Sequence, residues 1–158
     1  MVSGLEVRVV RADDPMVAPV LADLNEDYVR RYPRFDVAGE MTRYPDSDFE
    51  PPGGTFLVLL DGDEVVAAGA YRHYDADTVE LKRVWTSPRR RRLGLGRLVV
   101  EVLEQAAREA GRAKVFLTTG PRQPEARALY LALGYTPVGD HDGIVERADG
   151  PLPFVKEL

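Results

Sequence analysis

The chain has 158 residues, of which 44% are hydrophobic and 30% charged, and this composition predicts one soluble globular domain over residues 1–158. The lack of cysteine excludes disulfides, thiolate metal sites and a cysteine nucleophile, and it fits a cytoplasmic protein. His73 and His141 have no metal-ligand spacing, so we expect no metal site. No apolar run is long enough to cross a membrane, and residues 1–11 show no signal peptide pattern.

The net charge of −5 argues against non-specific binding of nucleic acid, because phosphate backbones repel an acidic protein. The charge is unevenly spread, since residues 82–112 contain nine Lys or Arg and only three Asp or Glu. The arginine run over residues 89–92 lacks interleaved aromatics and a known nucleic-acid-binding module. A local basic site for a compact anion fits this distribution better.

The first third of the chain predicts a strand, a helix and a long irregular segment. Residues 5–10 alternate between apolar and polar side chains, which is typical of a strand. Asp13 or Asp14 can cap a helix that we expect to run to about Tyr32. Residues 33–54 are rich in Pro and Gly, and a short helix around residues 36–42 is predicted within them.

Three strands joined by short turns come next, over residues 55–60, 64–73 and 78–86. Turn signals between them predict antiparallel pairing. A strongly periodic helix follows over residues 95–110, with apolar side chains three or four positions apart. Its opposite, polar face is predicted to include Glu104.

The remainder alternates between strands and one helix. A strand over residues 113–119 should lie parallel to the strand before the periodic helix, because that helix acts as a crossover. A helix over residues 124–133 and strands over residues 135–138 and 152–158 follow, with residues 140–151 as a loop. The order β-α-(α)-β-β-β-α-β-α-β-β predicts an α+β domain with helices flanking a central, mostly antiparallel sheet.

A glycine- and arginine-rich turn precedes the periodic helix and reads Arg91-Arg92-Leu93-Gly94-Leu95-Gly96-Arg97. Free N–H groups and the positive end of the helix dipole lie at such a place, and arginines supply fork-shaped donors for phosphate oxygens. The turn is not a P-loop, and it lacks the third glycine of the dinucleotide motif. From this turn alone, an anion cradle and a solvated basic bend are equally open.

The string R-x-x-G-x-G in this turn and a second string over residues 123–135 together resemble the GNAT superfamily of acyl-CoA-dependent N-acyltransferases. The first is R-x-x-G-x-G, with Arg91, Gly94 and Gly96 in the fixed positions. The second is Gln123-Pro124-Glu125-Ala126-Arg127-Ala128-Leu129-Tyr130 followed by Gly134-Tyr135. It is similar to the family's N-x-x-A-x-x-L-Y-x-x-x-G-[FY] segment, with glutamine in place of the usual asparagine. The resemblance extends over residues 55–158, whereas residues 1–54 match only in element order.

The resemblance implies the GNAT fold, with one splayed pair of parallel strands, and acetyl-CoA as the donor of an acetyl group. It implies a primary amine, on a small molecule or a protein, as the acceptor. Tyr130 would direct its hydroxyl at the thioester sulfur. The cofactor-binding residues that it implies are the whole turn, three residues on the strand before it and two at the next helix: Arg91, Arg92, Leu93, Gly94, Leu95, Gly96, Arg97, Val84, Trp85, Thr86, Gln123 and Ala126.

The general base is the less defined part of this hypothesis. Glu80 is the leading candidate, because it sits on the strand that leads into the turn. The charged run over residues 80–83 fits an ordinary cross-strand ion pair equally well. His73 is a weaker base candidate, since a lone histidine at a strand end is more often solvated.

The acceptor site is predicted from charge and aromatic residues. Residues 13–64 contain thirteen Asp or Glu and four Arg, and we name Tyr28, Tyr32 and His73 as acceptor-binding candidates. An acidic, aromatic-lined mouth favours a cationic amine. A solvated acidic surface is the alternative, which the composition favours slightly.

With no cysteine and no G-x-S-x-G string, direct transfer in one ternary complex is the simpler mechanism. The alternative function is a non-catalytic acyl-CoA-binding or regulatory module on the same fold. Tyr130 favours the enzyme, since a pure binder needs no proton donor. The last strand offers an edge for a homodimer, which the sequence does not decide.

Overall fold

The structure is a computed structural model that describes residues 4–33, 39, 43–120, 122–138 and 152–158, and within them seven strands form one sheet. The strands are β1 (Leu5–Val9), β2 (Thr55–Asp61), β3 (Glu64–His73), β4 (Thr78–Thr86), β5 (Lys114–Thr119), β6 (Thr136–Pro137) and β7 (Leu152–Glu157). The helices are α1 (Ala18–Arg31), α2 (Leu95–Glu109) and α3 (Pro124–Ala132). Two 3₁₀ turns cover Asp46–Phe49 and Pro88–Arg90.

The strand order across the sheet is β1-β2-β3-β4-β5-β7-β6, and every neighbouring pair is antiparallel except β4 and β5. Short turns join β2 to β3 and β3 to β4, so these strands pair with their sequence neighbours. Helix α2 joins β4 to β5 as a crossover, which makes them parallel. This architecture confirms the predicted α+β fold class.

Helices bury a hydrophobic cluster on each face of the sheet. The cluster on the face of α2 and α3 includes Leu59, Val99, Leu103, Leu117 and Phe154. The cluster on the face of α1 includes Val20, Phe49, Phe56, Val58 and Leu60. Each of these side chains is at most 2% exposed, and full burial of one contributes about 1.5–3 kcal/mol. The two clusters therefore hold the central strands from both sides.

Helix α1 begins later than the sequence predicted. Asp14 does accept a hydrogen bond, 2.8 Å from the N–H of Met16, but this bond closes a turn before the helix. The first helical residue is Ala18, and no side chain caps it. Pro19 explains the late start of α1, because it has no N–H to donate to the carbonyl of Pro15 and its ring would clash with that carbonyl. An α-helix starting at Asp14 would be interrupted at that residue.

Glu104 is buried, which corrects its predicted place on the polar face of α2. Its side chain is 4% exposed and accepts hydrogen bonds from Tyr135, at 2.8 Å, and from Lys156, at 3.1 Å. Both partners belong to segments far along the chain. A buried carboxylate is tolerated here because a cation and a hydroxyl satisfy it.

Except for Gly39, the short helix predicted around residues 36–42 lies outside the described residues, as does the loop over residues 140–151, which includes His141. Among the helices that are described, none combines the length and the apolar character needed to span a bilayer.

Candidate active site

The parallel strands β4 and β5 separate after a short paired region. The parallel ladder joins only Thr78–Glu80 to Lys114–Phe116. Beyond it, β4 still pairs with β3 as far as Thr86, and β5 still pairs with β7 as far as Thr119. Each strand therefore presents one edge of backbone N–H and C=O groups that has no strand partner among the described residues. We call this opening the split; such edges can hydrogen-bond a ligand in the manner of an added strand.

An extra residue interrupts the pairing of β4 with β3 beside the split. One residue lies between Ala68 and Ala70 of β3, whereas Arg83 and Val84 lie between their partners on β4. The φ of Arg83 is +58°, in the left-handed region that side chains rarely adopt. These features define a β-bulge, which bends the strand and re-aims its side chains.

The turn that precedes α2 leaves the helix N-terminus open. Gly94 is the N-cap residue, with φ +76° and ψ 14°, and no side chain caps the helix. The first turn contains no acidic residue. The N–H groups of Leu95, Gly96 and Arg97 therefore point out of the helix without an internal acceptor. This arrangement attracts an anion.

The two glycines of the turn differ in what surrounds them. A Cβ on Gly94 would meet no atom within 4 Å, so this glycine is required by its positive φ rather than by space. Gly96 lies between Thr86 of β4 and Leu129 of α3, whose atoms would be 3.6 and 3.5 Å from an added Cβ. Gly96 therefore brings the helix start close to the end of the split.

The arginines around the turn fall into two groups. Arg90 donates to Asp61 at 2.9 Å and to Glu64 at 3.4 Å, which anchors the turn to the β2–β3 hairpin. Arg97 pairs with Glu101 at 2.8 Å. Arg91 and Arg92 are exposed, and within the described part of the chain neither has an ion-pair partner. These two are the cations available to a ligand.

Tyr130 lies on α3, directly after Leu129, whose side chain approaches Gly96 at the start of α2. Its side chain is 7% exposed, and its ring meets the ring of Tyr135 edge-on at 5.5 Å. Burial raises the pKa of Tyr130, and the nearby Tyr28 raises it further. The hydroxyl therefore keeps its proton at physiological pH, which suits a hydrogen-bond donor.

Glu80 lies at the last paired position before the split, 5% exposed. Arg72, directly across on β3, donates to it at 3.0 Å, and Lys82 approaches it at 3.6 Å. Arg72 also donates to Asp48 and lies over the ring of Tyr44, 4.1 Å from its centroid. The cross-strand ion pair that the sequence left open is thus present, and it engages the candidate base.

His73 lies at the outer end of β3. Its Nδ1 is 3.1 Å from a guanidinium nitrogen of Arg112, which is a donor only, so Nδ1 acts as the acceptor. With Asp48 and Arg72 it lines a cavity of about 280 Å³ next to the Asp46–Phe49 turn. The structure therefore brings His73 to a cavity beside Arg72, whereas Tyr28 is brought towards Tyr130.

Tyr32 and Gln123, predicted for acceptor and donor respectively, are brought together. The hydroxyl of Tyr32 lies 3.5 Å from Oε1 of Gln123 and accepts a hydrogen bond from the backbone N–H of Arg122 at 3.0 Å. Oε1 of Gln123 also accepts from the N–H of Gly120 at 3.0 Å. Ala126, one turn into α3, packs against the buried cluster below α2.

Reciprocal bonds between Arg31 and Arg122 reinforce this junction. Each guanidinium donates to the other residue's backbone carbonyl, at 2.7 and 3.0 Å. Arg31 also pairs with Glu125 at the start of α3 and with Asp27. We call the contacts of Arg31 and Tyr32 with Gly120, Arg122, Gln123 and Glu125 the α1–α3 clamp.

Sequence reasoning missed two polar side chains near the split. Thr119, at the end of β5, is 5% exposed, and among the described residues its hydroxyl is the one buried side-chain polar atom without a hydrogen-bond partner. Asp23 of α1 accepts a hydrogen bond from the indole of Trp85 at 2.6 Å. An acidic residue on the inner side of α1 was a signal for Asp23, whereas nothing in the local sequence singles out Thr119.

A family model described as the acetyltransferase (GNAT) family matches residues 21–135. The uncharacterized N-acetyltransferase YjgM of Escherichia coli (strain K12) is 25% identical over 159 residues, covering 96% of this chain and 93% of that protein. An acetyltransferase structure from Streptococcus agalactiae is 22% identical, with a TM-score of 0.74 and coverage of 99% and 100%. A GNAT family acetyltransferase structure from Elizabethkingia anophelis, with acetyl-CoA bound, is 13% identical, with a TM-score of 0.69 and the same coverage. The family match spans most of the chain and includes the split, the turn before α2 and Tyr130: the chain belongs to the acetyltransferase (GNAT) family.

Proposed function

We propose that this protein transfers an acetyl group from acetyl-CoA to a primary amine, directly, within one ternary complex. The observation that carries the proposal is the split, which opens between an uncapped helix N-terminus and a protonated tyrosine. The acetyl-CoA bound to the Elizabethkingia anophelis neighbour supports the choice of donor.

The donor's pyrophosphate fits the turn before α2. Gly94 and Gly96 expose the backbone, the first turn of α2 supplies three N–H groups, and Arg91 and Arg92 supply charge. One contact with a helix dipole contributes only about 0.3–1 kcal/mol. Several N–H groups and two guanidinium groups acting together give firm binding of a doubly charged group.

The pantetheine arm fits the open edge of β4. Val84, Trp85 and Thr86 lie beyond the last residue that pairs with β5, so their backbone groups on that side are available to the arm's amides. The indole of Trp85 is directed to Asp23 of α1, so this residue would contribute through its backbone.

The chemical step forms one bond and breaks another. The nitrogen of the neutral amine attacks the thioester carbonyl, the new C–N bond forms, and the C–S bond breaks as the thiolate leaves. The nitrogen loses a proton and the thiolate gains one. Holding the two substrates side by side supplies about 7–11 kcal/mol, more than the roughly 3–5 kcal/mol typical of a general base.

Tyr130 is the donor of a hydrogen bond, and then of a proton, to the leaving sulfur. Its raised pKa makes it a weaker acid than an exposed tyrosine, but desolvation also raises the basicity of a thiolate in the same site. Because burial raises both the pKa of Tyr130 and the pKa of the leaving thiol, it does not make transfer of the proton from Tyr130 to the sulfur less favourable. Deprotonated Tyr130 could not perform this role.

Glu80 remains the proposed base, acting directly or through water. Its ion pairs with Arg72 and Lys82 hold the carboxylate in place but also compete for its oxygens. We therefore assign it a modest share of the rate. Asp48 and Glu50, two of the acidic residues within positions 13–64, pair with Arg72 and Arg11 respectively. These ion pairs reduce the negative charge that is available to attract a cationic acceptor.

Calorimetry with acetyl-CoA at low salt, followed by measurement of thiol release across a panel of primary amines, tests the proposal. We expect binding of one acetyl-CoA per chain and thiol release that depends on an amine. Binding without release from any amine would support a non-catalytic acyl-CoA module instead. Trapping of an acetylated protein with donor alone would contradict direct transfer, and no binding would overturn the whole proposal.

A further inference from the structure

The carboxamide of Gln123 is fixed by its oxygen. Gln123 is the N-cap residue of α3, yet its side chain does not cap that helix. Instead Oε1 accepts from the N–H of Gly120 at 3.0 Å and lies 3.5 Å from the hydroxyl of Tyr32. A backbone N–H can only donate, so the atom facing Gly120 must be the oxygen. The –NH₂ end of the amide is therefore turned away from both groups.

The hydroxyl of Tyr32 is oriented by a similar argument. Its oxygen accepts from the N–H of Arg122 at 3.0 Å, which directs its single proton towards Oε1 of Gln123. The glycine at position 120 makes room for this arrangement, because an added Cβ would overlap the Tyr32 hydroxyl and lie 2.7 Å from Oε1 of Gln123. The reciprocal Arg31 and Arg122 bonds hold the end of α1 in place.

We propose that Tyr32 is a positioning residue, which acts on the donor through Gln123 rather than by binding the acceptor. This inference rests on the proposed function. Glutamine is one methylene longer than the asparagine usual at this position in the family, and a longer side chain has more rotamers to restrict. Tyr32 and Gly120 restrict them, and they present the –NH₂ group to the carbonyl oxygens of the pantetheine arm in the split.

The same contact links the two sides of the split. Tyr32 is the C-cap residue of α1, which covers one face of the sheet, whereas Gln123 is the N-cap residue of α3 on the other face. The α1–α3 clamp is thus a connection through which a change on the α1 side alters the grip on the donor.

A double-mutant cycle with Tyr32→Phe and Gln123→Ala tests this inference, with acetyl-CoA affinity measured by calorimetry and folding monitored by thermal unfolding. Tyr32→Phe keeps the ring and removes the hydroxyl, and we expect it to weaken acetyl-CoA binding about threefold to tenfold. In the Gln123→Ala background the same change should have no effect, because its target is gone. The kcat of Tyr32→Phe at saturating acetyl-CoA should stay within twofold of the wild-type value.

Tyr74→Phe is the matched control, since Tyr74 is 52% exposed and packs on Phe116 away from the clamp. It should leave acetyl-CoA affinity unchanged. An equal loss from Tyr32→Phe in both backgrounds, or no loss in either, would overturn the positioning role while leaving the proposed function intact. If the wild-type protein itself does not bind acetyl-CoA, the proposed function fails, and the positioning role fails with it.

Discussion

The two sides of the split differ in whether their polar groups are already satisfied. On the α2 side, the N–H groups at the helix start, the guanidinium groups of Arg91 and Arg92 and the hydroxyl of Thr119 have no partner among the described residues. On the α1 side, Arg72 is engaged by Asp48 and Glu80, and Asp23 is engaged by Trp85.

Unpartnered polar groups are costly, so their concentration on one side indicates a place prepared for an external ligand. The paired charges on the α1 side hold α1 and the Asp46–Phe49 turn against the sheet instead. The proposed donor site is therefore preformed, whereas an acceptor on the α1 side would have to compete with existing ion pairs. Each prediction below tests one part of this contrast.

Gly94→Glu should have the largest effect. A carboxylate at the N-terminus of α2 interacts favourably with the helix dipole but occupies the place of the donor's anionic group. We expect acetyl-CoA affinity to fall about 100-fold or more, equivalent to ~2.7 kcal/mol, and turnover to become undetectable. Calorimetry and thiol release measure both.

Gly111→Glu is the matched control for that change. Gly111 follows the other end of α2 with φ +79°, and an added Cβ there also meets no atom within 4 Å. It should lose stability through the same backbone strain yet keep its affinity for acetyl-CoA. Retained affinity and turnover in Gly94→Glu would contradict the anion cradle.

Tyr130→Phe should lower kcat about 100-fold, because the leaving thiolate loses its proton donor. The phenyl ring keeps the edge-on packing against Tyr135, so acetyl-CoA affinity and the thermal unfolding midpoint should stay close to the wild type. Steady-state kinetics with saturating donor provide the measurement. A kcat within threefold of the wild type would remove Tyr130 from the reaction.

Glu80→Gln should slow turnover about tenfold or less. The amide oxygen can still accept from Arg72, but the negative charge that Lys82 approaches is lost. Because Glu80 is only 5% exposed and its charge is paired, we also expect some loss of thermal stability. Glu6→Gln removes an exposed carboxylate on β1 and should change neither quantity. A complete loss of turnover would contradict the modest share of the rate that we assign to Glu80 as the base.

Thr119→Val should change stability and donor affinity in opposite directions. Removing a buried hydroxyl that has no partner should stabilise the unliganded protein by about 1 kcal/mol. If the hydroxyl bonds the donor, acetyl-CoA affinity should fall about threefold. Thermal unfolding with and without acetyl-CoA measures both, and Thr118→Val, at an exposed neighbour, is the control. A less stable protein with unchanged affinity would show that Thr119 does not belong with the unpartnered groups.

The smallest expected effect concerns the pH profile of kcat, in which we expect no decline caused by Tyr130. In the proposed mechanism Tyr130 acts while protonated, so kcat should fall only as the pH rises through the pKa of Tyr130. Burial raises that pKa above the ordinary value, so loss of the Tyr130 proton should not lower kcat up to about pH 10. Comparing pH profiles of kcat for the wild type and Tyr130→Phe checks this. An alkaline decline near pH 9 that is absent in Tyr130→Phe would contradict it.

Much of the fold could be predicted because its signals are local. The apolar stripe of α2 and the turns between β2, β3 and β4 are encoded within a few residues of one another, and their bounds were predicted to within one residue. The glycine-rich turn was also visible, because its glycines, its arginines and the helix that follows are contiguous. Local patterns cannot show which residues meet across the chain.

Apart from the start of α1, which Pro19 sets locally, the errors and omissions involve distant partners. Glu104 has helical spacing typical of a solvated face, but Lys156, from the last strand, buries it. The contact of Tyr32 with Gly120 and Gln123 joins residues about ninety positions apart, so the sequence could not show it. Thr119 became notable only once its surroundings were known.

The bulge at Arg83 determines which face of the sheet each later side chain of β4 occupies. Side chains normally alternate along a strand, but Lys82 and Arg83 lie over rings on the same face, those of Tyr44 and Phe49. Every later residue of β4 is shifted accordingly, and so the indole of Trp85 reaches α1. The same sequence without the bulge would turn that indole to the opposite face, whereas deleting the extra residue would restore regular alternation and leave the indole on the α1 face. Chimeras that exchange β4 with that of another member of the family must therefore be aligned by the face that each side chain occupies, and not by residue count across the bulge.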